Sequence, residues 1–581
     1  MAGMNMTDMQ PVPPPDQLPV PIKMTGIGNS HITIKATPEA QAWFDQGLSL
    51  LHDFWDYESA KAFEQAIRVD PNCAMCEWGL AQALEMRGDD AVKPYTRRAL
   101  DEAERLKSHA SATDKLYIDA ANADFAPSER GKSPAIPILR KLVKKSPHDI
   151  QARIFLAEAV GEGFDENGEP KAGQKERIAI LEQILREAPN DSAANHYWIH
   201  AIEPSNHPER AIPSSALLAS LAPTSGHMVH MPGHIYYRVG AYAQAEHWFA
   251  ASTAADEAYL RTQHVSVDDD WNYVHNMMYA IANLMEQGKL AEANALSDHL
   301  ADARGQLSAT LYIWSARDQM ARVSRRLPVA LRTADWDAAL VLLSQANLPE
   351  SDKTANLRFL ASELSDFATG MKALESNNVA AAQSASERMD AGLWRTKRAS
   401  DAADEAKKKA DDAAKKDAAA AAKPPALPIS PDAMAAPVFQ ALTIASLELH
   451  ASVLVAQGKL QPGKKEFAAA VAEEKKLGYR EPPFYIRPVG ENEAISLIRA
   501  KDYAGAKAAY EDALKERPNS GFALYGLARV RELSGDSAGA RQAYADFLKA
   551  WSAADALLPE LAHAHQVVEN TNIQYGDSSP I

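Results

Sequence analysis

The chain of 581 residues has two cysteines, too few for a disulfide framework or a four-cysteine zinc site. It lacks long apolar runs. None approaches 18 residues, so no membrane span is expected. It lacks basic excess: 61 Lys and Arg face 77 Asp and Glu, for a net charge of −16. Phosphate binding needs clustered Lys and Arg, which excludes nucleic acid as the main partner. No Walker A loop, no GxGxxG after a strand and no GxSxG occurs, so nucleotide-dependent chemistry and serine hydrolysis have no support. Segments of strand period are missing as well, which leaves an all-α fold.

What is present repeats. At roughly 150 residues per domain the length suits about four units or one long array. In 40–71, apolar residues recur at helical spacing and Pro71 stops the second helix. The segment 487–518 has the same form. Trp43, Gly47, Phe63, Ala66 and Pro71 in the first, and Tyr503, Ala506, Tyr510, Ala513 and Pro518 in the second, fall at tetratricopeptide (TPR) offsets. The chain thus resembles TPR proteins. The resemblance implies helix-turn-helix units stacked into an α-solenoid superhelix with a concave groove that takes a protein or peptide partner. Between these ends, Pro189 and Pro223 lie 34 residues apart, and the turns GAYAQA (240–245) and GKLAEA (288–293) match each other. Residues 304–395 are helical in pattern but fit the consensus poorly.

Composition suggests four parts. Residues 1–36 are a Met- and Pro-rich tail, in which five prolines within 12–21 read as extended and poorly ordered. Residues 37–395 form a first TPR-like array. Residues 396–432 are an Ala/Lys/Asp-rich insertion, read as a solvated helix or tether, and 433–581 form a C-terminal TPR block.

The strongest functional signal is histidine. Nine of the 17 lie between His196 and His275, where an even spread would place two or three. His196 and His200 are four apart and share a helix face, as do His230 and His234. Each residue of the first pair recurs 34 positions later in the second, one repeat on. The next repeat is longer. Its GKLAEA turn falls 48 residues after GAYAQA, which registers His275 with His227. First helices of stacked repeats pack about 8–10 Å apart, close enough for imidazoles on two of them to meet. The expectation is a square of nitrogens from His196, His200, His230 and His234. Glu203 extends the same face, and Glu158 lies about one repeat earlier. Neutral imidazole suits Zn, Cu, Fe and Ni, and carboxylates complete many such sites. Copper or zinc is the expected ion. Pro232 complicates this, because proline disfavours helix at Met231. The helix is expected to start near Pro232, with His227 and His230 on the preceding loop. HYWIH lacks the Glu of the HExxH protease signature. His207, His247, His264 and His299 read as packing or surface residues.

Several strings resemble a large, mostly uncharacterised bacterial group of TPR proteins: GIGNSHITI (26–34), FDQGLSLLHDFWDYE (44–58), HYWIHAIE (196–203), GHMVHMPGHIYYRVGAY (226–242), YVHN (273–276) and EPPFYIRPVGE (481–491). This resemblance implies the fold and a periplasmic or exported location, and no reaction. No leader is visible in the sequence, so the expectation is either a cytoplasmic protein or one whose leader has been removed. Met1, Met4, Met6 and Met9 offer clustered thioethers, soft ligands suited to Cu(I).

Other groups read more plainly. Cys73 and Cys76 form a CxxC at a helix start, with packing, a disulfide or a redox pair all open. His52 and Trp55 read as structural. Asp268, Asp269 and Asp270 read as caps of the following helix, and GEGFDENGE (161–169) as a loop without full EF-hand spacing. Tyr237 and Arg238 suit an anionic group, or Arg238 pairs with Glu203. Three functions follow: a TPR scaffold with a metal-binding histidine site and a role in metal handling; an interaction scaffold without metal; or a metalloenzyme with Glu158 or Glu203 as general base.

Overall fold

The structure, a computed structural model, describes residues 13–87, 90–125, 133–165, 167–304, 315–351, 354–417 and 435–569. Among these the regular structure is all α-helical and 3-10, apart from one isolated bridge between Phe164 and Pro170. The Met1–Met9 cluster and Pro424–Pro428 lie outside the described residues.

The repeating unit is a helical hairpin. In eight hairpin turns among the described residues, a left-handed residue stands two positions before the second helix. Glycine fills Gly240, Gly288, Gly458 and Gly535, and Phe54, Ala334, Asn377 and Lys501 hold the same conformation. Glycine meets no penalty there, whereas a side chain costs about 1–2 kcal/mol. The turns at Ala334 and Asn377 show that the stretch with poor consensus is built from the same hairpins. Helix starts are capped locally: Thr37, Asp149, Asp191 and Ser225 each accept a bond from the backbone two or three residues inside.

The chain divides into two compact units, Met1–Asn276 and Met277–Ile581. In the first, the Phe63 ring is wedged between helices. A Cβ on Gly47 would lie 2.9 Å from it and one on Gly79 only 2.2 Å, so glycine alone lets these helices close. Gly233 and Phe249 repeat the contact at 2.3 Å. Residues 13–36 carry one 3-10 turn, Pro15–Gln17, are otherwise irregular, and are packed rather than loose. Leu18, Ile27, Ile32 and Ile34 are buried, Arg68 holds the Leu18 carbonyl at 2.8 Å, and Lys23 lies over the Trp43 ring. These scattered apolar residues supply the anchor. Cys73 and Cys76 are joined in a disulfide at the start of the Ala74–Arg87 helix, and both are buried.

The second unit is organised around a buried charge network. Arg332 binds Glu286 through Nε and Nη2, both at 2.8 Å, and Glu491 through Nη1 at 2.7 Å. Arg517 reaches Glu286 at 2.8 Å. Burial alone would raise the Glu286 pKa, but the two guanidiniums pull it down to about 2. The Ala436–Ala456 helix is long and apolar enough by length and composition to cross a membrane, which a search for unbroken apolar runs misses. Its contacts are those of a core helix: Val438, Leu442, Leu449 and Val453 are buried, and Glu448 in its middle bonds Tyr485 and Asn492. The Val379–Asp417 helix carries the first part of the Ala/Lys/Asp-rich stretch, and the rest of that stretch lies outside the described residues.

Removing one partner of a buried ion pair strands the others. Arg332→Ala is expected to lower the stability of the second unit by about 3–5 kcal/mol. Urea unfolding followed by circular dichroism measures this, and a loss below about 1 kcal/mol would contradict it.

Candidate metal centre

Three helices of the first unit build the site. Ser192–Ile202 carries His196 and His200, Gly226–Arg238 carries His227, His230 and His234, and the helix beginning at Trp271 carries His275. The Gly226–Arg238 helix runs through Pro232, contrary to the expectation of a later start. Ser225 caps it, and every residue from Gly226 to Ile235 is buried. Packing on all sides holds the helix despite the missing amide donor, so His227 and His230 are helical.

The histidines form two triads instead of one square. His196, His200 and His227 present one ligand atom each, all within 4.8 Å of one another, and so do His230, His234 and His275. His196 Nε2 lies 3.1 Å from Nε2 of both His200 and His227. His230 and His234 Nε2 are 2.5 Å apart. The square fails because one helical turn separates the members of each i, i+4 pair from the pair on the next helix. The rings of His200 and His234 are 6.3 Å apart, and each pair is completed by one histidine from the following helix.

The opposite ring nitrogens fix the tautomers. His196 Nδ1 donates to the His52 carbonyl (2.6 Å), His200 Nδ1 to Glu203 Oε1 (2.7 Å) and His234 Nδ1 to Glu203 Oε2 (2.7 Å). His227 Nδ1 faces Asn272 Oδ1 at 3.2 Å, and His230 Nδ1 faces Asn276 Oδ1 at 2.7 Å. Both amides are oriented by their own donors. Asn272 Nδ2 gives to Asp256, and Asn276 Nδ2 to the Phe249 carbonyl and Thr253. With the proton on Nδ1, each of these five rings, when neutral, turns an Nε2 lone pair inward. Facing lone pairs about 3 Å apart repel one another. About 2.0–2.1 Å from a tetrahedral ion, two such nitrogens would be about 3.3 Å apart, close to the 3.1 Å contacts of the first triad. The residues present therefore fit a cation.

Burial keeps the imidazoles neutral. It pushes His196, His227 and His230 well below the usual histidine range, and neighbouring histidines push further. His234 is also lowered, and His275 falls to about 3. Burial would raise Glu203, but His234 and His200 pull it well below the usual carboxylate range. Side-chain exposure of His200 is 17%, against 0% for His234, so the centre reaches solvent at the His200 edge.

Sequence reasoning missed several residues. Phe54 is held at φ 58°, and its ring stacks on both His200 and His227 at 5.4 Å. A bulky residue in the left-handed region is strained, and such strain gathers at functional sites. Trp271 donates to the Phe54 carbonyl at 2.7 Å and lies 5.0 Å from His227. The signal for Phe54 is a phenylalanine where four other turns put glycine. The signal for Asn272 and Asn276 is their own i, i+4 spacing.

Other candidates are placed elsewhere. Glu158 pairs with Arg177 at 2.7 Å and lies outside both triads. Arg238 binds the backbone carbonyls of Glu203 and Ser205, both at 3.0 Å. His52 is buried, as a structural role requires, though its carbonyl orients His196. Asp270 accepts from the Tyr273 amide as a cap, while Asp269 pairs with Arg87. Asp165 folds its own loop by accepting from Asn167 and Glu169.

No protein-family model matches the chain, and no curated protein matches it. Among solved structures it is similar to yeast Tom70, at 12% identity over 91% of this chain and 95% of that chain, with a TM-score of 0.31. It is also similar to the APC/C hetero-tetramer Cut9-Hcn1, at 13% identity over 92% and 96%, with a TM-score of 0.23. At these scores neither likeness bears on function, which rests on the chain's own geometry.

The buried histidines set a pH dependence. Their folded pKa values lie below the unfolded value of about 6.5, so the unfolded chain binds more protons in acid. Their stabilisation is complete above about pH 6.5 and is lost as pH falls toward 3, the folded value of His275. Metal-free protein should melt at steadily lower temperature from pH 6.5 to 4. His275→Asn should flatten that slope by up to about 1.4 kcal/mol per pH unit. An unchanged slope in calorimetry would refute the assignment.

Proposed function

We propose that the protein is a TPR-like scaffold whose first unit binds a transition metal, copper or zinc, and takes part in metal handling. One observation carries this reading: inward-facing Nε2 atoms on imidazoles whose Nδ1 protons are held by Glu203, Asn272, Asn276 and a backbone carbonyl. Such outer hydrogen bonds orient metal-binding histidines and raise their basicity. An all-nitrogen donor set suits copper and zinc. The near-complete burial of the ligands favours holding an ion over turning over a bulky substrate. The helical-repeat architecture supports a protein or peptide partner to or from which the metal passes. The disulfide at Cys73–Cys76 supports an oxidising compartment, in agreement with the export implied by the bacterial resemblance. The Met-rich start would add a Cu(I) ligand set.

A second reading, a metal-dependent enzyme, draws on one feature. A cavity of about 310 Å³, lined by Trp78, Tyr117, Phe155 and Glu158, lies in the same unit. Burial raises the Glu158 pKa, and His200 is within its electrostatic reach. A carboxylate so placed suits a general base.

Elemental analysis of untagged protein, purified without a nickel column, tests the first reading. Copper or zinc should be retained by the natural chain and lost from His200→Ala/His234→Ala. Absence of metal from both, even after soaking with each ion, would overturn it and leave a partner-binding scaffold.

A further inference from the structure

The two triads are the same device built twice. Each takes an i, i+4 histidine pair from one helix and a third histidine from the next helix. Triad members correspond one to one: His196 with His230 and His200 with His234, 34 residues apart, and His227 with His275, 48 residues apart. The 48-residue step is the step between the GAYAQA and GKLAEA turns. Both triads are therefore produced by one repeat register, and what one triad can hold the other can hold.

The triads are also neighbours. The rings of His227 and His230 are 5.9 Å apart, and those of His200 and His234 are 6.3 Å apart. Glu203 joins them, holding His200 with one carboxylate oxygen and His234 with the other. Trp271 covers both, lying 5.0 Å from His227 and 5.4 Å from His275. Three nitrogens leave at least one position open on a tetrahedral ion, and the two open positions lie on adjoining sites. Five of the six histidines are buried, which leaves the His200 edge as the side open to solvent.

We propose that the centre is dinuclear, with one ion on His196, His200 and His227, a second on His230, His234 and His275, and a small anion such as hydroxide bridging them. This rests on the metal-binding reading above, and deepens it from a holding site to a two-metal site. Paired ions sharing a bridging ligand polarise one small molecule from two sides, which a single ion cannot do.

Metal-free protein is titrated with Cu(II), bound metal is counted after dialysis, and the paramagnetic signal is integrated. The natural chain should bind two ions per chain with far fewer than two spins, because bridged Cu(II) ions couple. His227→Asn and His275→Asn should each keep one ion and give one full spin. Should either fail to fold by circular dichroism, Asn276→Ala is the substitute. It removes the acceptor of His230 Nδ1 and should weaken one of the two ions about 10–100-fold while sparing the other. One ion in the natural chain, or loss of all metal from either single variant, would overturn the dinuclear centre and leave the metal reading intact. Two ions with two full spins would overturn the shared bridge. No ion at all would overturn the metal reading itself.

Discussion

Glu203 is the group on which the centre depends. It is 1% exposed, and a carboxylate that deep is unstable unless something holds its charge. Two imidazole N–H groups do so, one from each triad. The bond works in both directions: it keeps Glu203 ionised and fixes the Nδ1 tautomer of His200 and His234. The rest of the geometry follows, because a tautomer fixed on one side of the ring fixes a lone pair on the other. Asn272, Asn276 and the His52 carbonyl extend the same logic to three more rings without adding charge. A single buried anion is thus shared between triads whose nitrogens would otherwise repel one another.

The repeat explains how six histidines come to one place. A hairpin with one left-handed turn residue and one aromatic wedged against a glycine sets a constant distance between successive first helices. Any residue that recurs with the repeat then returns to the same face of the next first helix. At the first turn the left-handed residue is Phe54, bulkier than the Ala334, Asn377 and Lys501 that stand in other turns, and its ring stacks on His200 and His227. The second unit uses burial differently. Its Arg332, Glu286, Glu491 and Arg517 neutralise one another completely, with both carboxylates engaged by guanidiniums. The first unit buries imidazoles whose inward nitrogens face other imidazoles. Saturated pairing holds a fold together, and convergent lone pairs ask for a cation.

Much of this was legible in the sequence, for a physical reason. Helix periodicity and the 34-residue interval are one-dimensional facts that survive folding, so the hairpins, the i, i+4 pairs and the register of His275 with His227 could be read. The grouping into triads could not. It depends on a rise of one helical turn along a face, which interval alone does not give. Pro232 misled because its local preference is real but is outweighed by burial along the whole helix. The packing of residues 13–36 was hidden by proline content, which predicts extension and says nothing about what the segment lies against. Glu158 lies near one repeat from His196 in sequence, but Arg177, a residue with no positional signal, takes its carboxylate.

Accessibility decides between keeping an ion and using it. A catalytic ion needs an open coordination position that a substrate can reach. Here five of the six histidines are buried, His200 is partly exposed, and Phe54 and Trp271 lie against the rings. Turnover of a large substrate would require Phe54 to leave its stacked position, which would relieve its backbone strain but expose both rings it covers. A closed centre with a narrow edge is better matched to an ion exchanged through a partner docked beside His200, or to a small molecule held between two ions, than to hydrolysis of a polymer.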